Sequence, residues 1–176
     1  LFGLLPISAL SQMPNIGLLA NINPAAASGS SPGNMVKLGS IVLFSANDGT
    51  NGTELWKSDG TAAGTVMVKD IRSGGSSSPN NFVLMGSHVY FTANDGVNGG
   101  ALWRSDGTTA GTTLVKDINT TSTSSTPFIW QLTAIGSKLY FRANDGTNGE
   151  EPWISDGTTA GTTMLKHIRA GSDGSS

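Results

Sequence analysis

One block of sequence occurs three times. Ala46-Asn47-Asp48-Gly49 through Ile71, Ala93-Asn94-Asp95-Gly96 through Ile118, and Ala143-Asn144-Asp145-Gly146 through Ile168 align without a gap, with Trp56, Trp103 and Trp153 marking the register. The tryptophans stand 47 and 50 residues apart, and the three additional residues fall in the Ser/Thr-rich connector after Ile118. A tandem period of this length implies a supersecondary unit that cannot bury its apolar side chains alone and stacks on its neighbours. Length then varies only where a loop connects the units.

Each unit contains four short runs rich in β-branched and aromatic residues, punctuated by Gly, Asn and Asp. In the second unit they are Phe82–Met85, Val89–Ala93, Ala101–Arg104 and Thr113–Ile118. This pattern predicts four antiparallel strands. In the second run Val42, Phe44 and Ala46 match Val89, Phe91 and Ala93, then Leu139, Phe141 and Ala143, whereas the position opening the run holds Ile41, His88 and Lys138. The contrast predicts one core face and one solvated face. Four strands in about 45 residues with a recurring Trp is the pattern of a propeller blade. The predicted fold is all-β: tandem four-stranded antiparallel propeller-like blades, three in number, with an extended N-terminal arm. The division is 1–35 for the arm, 36–81, 82–131 and 132–176 for the repeats. Three blades do not make a typical closed ring, so the chain is expected to be a fragment, to associate with other chains, or to stack in an open array.

Composition narrows the partners. Glycine, at 24 of 176 residues, is about twice its average share, and charged residues, at 12%, are about half of theirs. A surface solvated mainly by Ser, Thr, Asn and backbone suits packing against copies of itself or against sugars. A net charge of −2 gives no basic stripe for a phosphate backbone, so no nucleic-acid partner is expected. Cysteine is absent, which removes disulfides, CxxC redox sites and thiolate metal sites. No run approaches the roughly 20 apolar residues of a spanning helix, so no membrane span is expected. The apolar opening Leu1-Phe2-Gly3-Leu4-Leu5-Pro6-Ile7, without Met or a basic leader, reads as the start of a processed chain.

Glu54-Leu55-Trp56-Lys57-Ser58-Asp59-Gly60-Thr61, followed by Gly64-Thr65 and Val68-Lys69-Asp70-Ile71, resembles the ELWxxDGT repeat of large secreted bacterial proteins. The resemblance covers residues 36–176 and recurs at Ala101–Thr108 and Glu151–Thr158. It implies an extracellular or cell-surface, propeller-like repeat, and it carries over no catalytic residue. The copies depart from one another at Ala101, Pro152 and His167, where the others hold Glu, Leu and Asp.

Four sets of residues are candidates for more than packing. Asp59, Asp106 and Asp156 open Asp-Gly-Thr segments between the third and fourth strands and read as turn formers, as in the Asp-box hairpins of sialidase propellers. Asp48, Asp95 and Asp145 lie in Asn-Asp-Gly loops that group oxygen donors around glycines, a possible calcium arrangement, although each loop supplies a single Asp. Asn51 and Asn119 begin glycosylation sequons. His88 and His167 occupy different repeat positions and form no recurring pair. No nucleophile elbow, HExxH helix or phosphate loop occurs, and no enzyme is expected. Adjacent Glu150 and Glu151 should face opposite sides of a strand. No cofactor is expected beyond that possible calcium.

The arm is the fourth set. Residues 1–36 carry no Asp, Glu, Lys or Arg, yet offer Leu4, Leu5, Ile7, Leu10, Ile16, Leu18, Leu19 and Ile22. Leu18-Leu19-Ala20-Asn21-Ile22-Asn23 aligns with Leu114-Val115-Lys116-Asp117-Ile118-Asn119, as an orphan fourth strand near 17–23. An unpaired edge is either covered at home or templates association. The arm is therefore expected to add to a neighbouring subunit's sheet, joining copies head-to-tail into an extracellular filament or surface assembly. The competing expectation is an adhesin that binds carbohydrate or calcium.

Overall fold

The computed structural model describes residues 19–24, 29–124 and 128–168. Among them are twelve strands and no helix: β1 (Gly33–Leu38), β2 (Ile41–Asn47), β3 (Thr53–Ser58), β4 (Val66–Lys69), β5 (Asn80–Met85), β6 (His88–Asn94), β7 (Gly100–Ser105), β8 (Thr113–Lys116), β9 (Ile129–Ile135), β10 (Lys138–Asn144), β11 (Glu150–Ser155) and β12 (Thr163–Met164). They form three separate antiparallel meanders, β1–β4, β5–β8 and β9–β12, which are the three blades. The first strands β1, β5 and β9 lie beside one another, so the blades stack in chain order.

Each blade is started by the same hairpin. Leu38 pairs with Ile41, Met85 with His88 and Ile135 with Lys138, leaving Gly39-Ser40, Gly86-Ser87 and Gly136-Ser137 as two-residue loops. Only the first residue of each loop has positive φ, 59°, 62° and 60°, as a type II′ turn requires and as glycine permits. The blades begin a few residues before the boundaries expected at 36, 82 and 132. A bulge falls in each first strand, at Asn34, Asn81 and Gln131, all with φ near +55°. The bulge shifts the register, and in blades 1 and 2 the residues that open the strand, Gly33-Asn34 and Asn80-Asn81, are not apolar, so the earlier start is invisible to periodicity. The bulge also aims a side chain at the next blade: Asn34 Nδ2 donates to the Pro79 carbonyl and Asn81 Nδ2 to that of Ile129.

The expectation of one solvated face per sheet is not met. In β2, Leu43 and Ser45 are buried as fully as Phe44 and Ala46. The reason is the stack, in which an interior sheet is covered on both sides. Leu43, Leu55, Val68 and Ile71 on the downstream face of blade 1 pack against Val89, Phe91, Ala93, Ala101 and Trp103 on the upstream face of blade 2. The same positions repeat one blade on. Tyr90, Leu102, Val115 and Ile118 meet Leu139, Phe141, Ala143 and Trp153.

Blade 3 departs from this plan in its last strand. β4 and β8 are four residues long, whereas β12 has two. In the other blades Leu55 pairs with Lys69 and Leu102 with Lys116; the matching residue here is Pro152. Pro152 accepts from Leu165 N at 2.8 Å but has no N–H to return, and the ladder ends.

Candidate functional site

The repeated loops are self-contained. In the first Asp-Gly-Thr turn, Thr61 N and Thr61 Oγ1 donate to Asp59 Oδ1 at 2.9 and 2.7 Å, and Gly64 N donates to Thr61 Oγ1 at 2.9 Å. Asp106 and Asp156 repeat these bonds. The Thr hydroxyl and amide hold all three carboxyls below the ordinary Asp range. A Cβ on Gly64, Gly111 or Gly161 would collide with that carboxylate. In the Asn-Asp-Gly loops, Asp48 Oδ1 accepts from Thr50 N and Asn51 N, and Oδ2 accepts from Asn51 Nδ2. Asp95 and Asp145 are satisfied in the same way. Burial would raise these carboxyls, but the donors outweigh it and leave them lowered. The three sit one per blade, and among the described residues no group of three His, Cys, Asp or Glu could hold a metal ion.

The sequon asparagines are occupied as well. Asn51 Nδ2 is the donor to Asp48, and Asn119 is buried, its Oδ1 accepting from Thr121 N and Oγ1. His88 hydrogen-bonds Ser87 Oγ, and His167 Nε2 lies 3.7 Å from Glu151 Oε1. Glu150 and Glu151 do part: Glu150 pairs with Arg142 at 3.2 Å while Glu151 is buried.

Sequence reading missed a carboxylate clasp. Glu54, buried in β3, accepts from Ile71 N (2.8 Å), Ser77 N (2.8 Å) and Ser77 Oγ (2.6 Å), tying the end of blade 1 to the connector that leads into blade 2. Burial pushes its carboxyl above the ordinary Glu value, against the pull of these three donors. Glu151 receives Ile168 N at 3.1 Å, but the same position in blade 2 is Ala101. The signal was available, since a buried position is where Glu and Ala are poor substitutes unless the loop they hold also differs, as the longer second connector does.

The chemistry that varies along the stack lies at its two ends. The interior junctions repeat their polar contacts. Lys57 Nζ donates to the Gly107 carbonyl (2.9 Å), Lys69 Nζ to that of Thr112 (2.7 Å), and Thr109 Oγ1 to that of Val68 (2.7 Å). One blade on, Arg104 reaches Gly157, Lys116 reaches Thr162, and Thr159 reaches Val115. On the downstream face of blade 3 the apolar set is retained but uncovered. Leu165 is 50% and Ile168 61% exposed, where Val68 and Ile71 are 4% and 8%, and Val115 and Ile118 are 4% and 5%. Ile135, in the position of Leu38 and Met85, is also exposed. A groove of about 730 Å³ runs over this face, lined by Gln131, Thr133, Tyr140, Arg142, Pro152 and Ile168.

The upstream face of blade 1 is partly covered by the chain itself. Of the arm residues, Leu4, Leu5, Ile7, Leu10, Ile16 and Leu18 lie outside the described residues; Leu19 and Ile22 lie within them. Residues 19–24 form no strand. Ile22 packs on Phe44, Ala46 and Trp56, as Ile71 packs on Phe91, Ala93 and Trp103. Asn23 lies against Gly49 as Arg72 does against Gly96 and Asn119 against Gly146. Asn47 N donates to the Ser30 carbonyl as Asn94 N does to that of Ser77. Among the described residues, a second groove of about 660 Å³ lies at Ile22, lined also by Leu19, Met35, Val42 and Phe44.

No protein-family model and no curated protein matches the chain. One solved structure that is similar is the crystal structure of the computationally designed Ika8 protein, 18% identical, with a TM-score of 0.45 over 89% of this chain. The chain spans 40% of the length of that protein. Among the described residues no helix is long and apolar enough to cross a membrane.

Proposed function

We propose that the chain is a structural module of an extracellular assembly, in which the downstream face of blade 3 stacks on the upstream face of blade 1 of another copy. The observation that carries the reading is the exposure of Leu165 and Ile168, whose counterparts are buried at both interior junctions. An apolar strip that twice meets the same partner in one molecule has a matching surface on blade 1 of the next, and a head-to-tail contact of this kind propagates. The reading keeps a head-to-tail joint and puts it on blade faces rather than on the arm. Low charge, hydroxyl-rich connectors and the resemblance to secreted repeats favour an extracellular site. The joint is weaker than an interior one. Ile154 replaces Lys57 and Arg104, and Ala62 replaces Thr109 and Thr159, so only Lys166 can repeat its bond, to the Thr65 carbonyl. Sedimentation velocity and electron microscopy at rising concentration test this. Concentration-dependent association is expected, and Leu165→Asp with Ile168→Asp should abolish it without lowering Tm. A chain that stays monomeric throughout, or a double variant that associates as before, refutes it.

A glycan-binding face is the second reading, favoured by one observation. Blade 3 alone sets the Arg142 guanidinium 5.1 Å from the Trp130 ring centroid and beside Glu150, where blades 1 and 2 have Ser or Thr opposite Gly or Asn. Saturable quenching of tryptophan fluorescence by an oligosaccharide, lost in Trp130→Ala, would favour it over self-association.

A further inference from the structure

We infer that residues 19–24 are a self-cap that occupies the docking slot on blade 1 and must leave before a second copy's blade 3 can seat there. The inference rests on the head-to-tail reading and names its acceptor and its control. At each interior junction the upstream face of a blade receives two sets of groups from its predecessor. One is the sheet itself, Leu43 and Leu55 or Tyr90 and Leu102; the other is the segment after the fourth strand, led by Ile71 or Ile118. Among the described residues, blade 1 has the second set only. Ile22 stands over Phe44, Ala46 and Trp56, and Asn23 fills the approach to Gly49, where a Cβ would come within 2.5 Å of Asn23 Oδ1. The slot for the sheet is the open groove beside it, where Leu19 and Met35 stay largely exposed.

The occupant that fits both halves is the downstream face of blade 3. Tyr140 and Pro152 stand in the positions of Leu43 and Leu55, and Leu165 and Ile168 in those of Val68 and Ile71. Docked with the geometry of the interior junctions, the incoming Ile168 claims the place Ile22 holds, and both cannot lie on Phe44, Ala46 and Trp56. The cap is light, with no strand ladder and a single apolar anchor. Its occupancy reduces the apparent affinity of the joint by the fraction of chains that are uncapped, and emptying the slot restores it.

The test measures the association constant by sedimentation equilibrium for the full chain, Ile22→Ser and Ile22→Asp, each also in the Leu165→Asp/Ile168→Asp background. Hydrogen exchange of residues 42–46 in that background reads cap occupancy without any joint. The expected result is faster exchange in both Ile22 variants, association tightened on the order of tenfold in the parent background, and none with the Asp pair. Faster exchange with unchanged association overturns the self-cap and leaves the face-to-face joint standing; faster exchange with weaker association overturns the self-cap and means that the arm itself joins copies in trans. Unchanged exchange shows that Ile22 caps nothing and overturns the inference as well. No association in any variant overturns the proposed function and the inference together, while the exchange data still report whether Ile22 covers blade 1.

Discussion

Val68 and Ile71 in blade 1 and Leu165 and Ile168 in blade 3 occupy the same positions of one repeat, yet the first pair is sealed in a core and the second faces solvent. Both pairs flank a lysine of the repeat, Lys69 or Lys166, and both isoleucine amides are held by a buried glutamate, Glu54 or Glu151; the local departure of blade 3 is Pro152 and its shortened last strand. The difference is the presence of a neighbouring upstream face. Stability and association therefore draw on one surface chemistry, and the position of a blade in the stack decides which of the two that chemistry serves.

The sharpest way to break the comparison is to make one substitution at both places. Ile71→Ala leaves a cavity between blades 1 and 2 and should cost about 2–4 kcal/mol, with blade 1 melting ahead of blades 2 and 3. Ile168→Ala should change stability by less than about 0.5 kcal/mol and weaken self-association instead. Urea denaturation followed by tryptophan fluorescence measures the first effect and sedimentation the second. Equal costs at the two positions would mean that blade 3 is covered in solution even in the monomer.

Next in size is the clasp. Glu54→Ala copies the residue blade 2 carries at Ala101 but keeps the short first connector, so the Ile71 and Ser77 amides lose their acceptor. Each buried donor left unpaired costs about 1–3 kcal/mol, and about 2–3 kcal/mol in total is expected, since the connector can relax toward water. The clasp also has a pH signature opposite to that of the loops. Because the Glu54 carboxyl is raised in the fold, the stability it contributes is full below the ordinary Glu value and is lost as pH rises through the folded value. Asp48, Asp95 and Asp145 are lowered, so their contribution is present above the ordinary Asp value and is lost on acidification through the folded value. The stability gap between the parent and Glu54→Gln should therefore narrow from pH 4 to pH 7, whereas Asp48→Asn should cost more at pH 7 than at pH 3. Thermal melts across that range check both slopes.

Gly64, Gly111 and Gly161 test whether the turns belong to the blade or to its position in the stack. Alanine at any of them collides with the aspartate of its own turn, at a cost of about 1–3 kcal/mol. Because the collision lies within one turn, the three costs should agree, unlike those at Ile71 and Ile168. A cost confined to the interior blades would tie the Asp-Gly-Thr turns to the junctions instead.

Much of this architecture is legible in the residues. The runs Val89–Ala93 and Ala101–Arg104 lie inside β6 and β7, and the three Asp-Gly-Thr segments are turns. The fourth run extends past its strand, because Asp117 and Ile118 turn away to hold the next blade rather than continue the ladder of β8. Two-sided burial was hidden for a related reason: Ser45, Thr92 and Arg142 interrupt the apolar pattern on the downstream face, although Ser45 and Thr92 bond the carbonyls of Gly33 and Asn80 in their own sheets. The end faces were not legible at all, since Leu165 and Ile168 are as apolar as their buried counterparts. Only the order of the blades in space tells them apart.

Pro152 allows the smallest and most direct sharpening. It is the residue that makes the last sheet unlike the other two, removing the N–H that Leu55 and Leu102 offer their fourth strands. Pro152→Leu restores that donor and gives a side chain matching those of blades 1 and 2. One exposed ladder bond contributes about 0.5–1.5 kcal/mol, offset in part by the backbone freedom that proline withholds from the unfolded chain. A net gain of about 0.5 kcal/mol is expected, with slower exchange at the Leu165 amide. The larger consequence is on the joint: a leucine at 152 places on the end face the side chain that fills the groove at both interior junctions, so association should tighten more than stability rises. If stability rises while association is unchanged, Pro152 bears on the length of β12 alone, and the end face meets its partner through Leu165 and Ile168 without it.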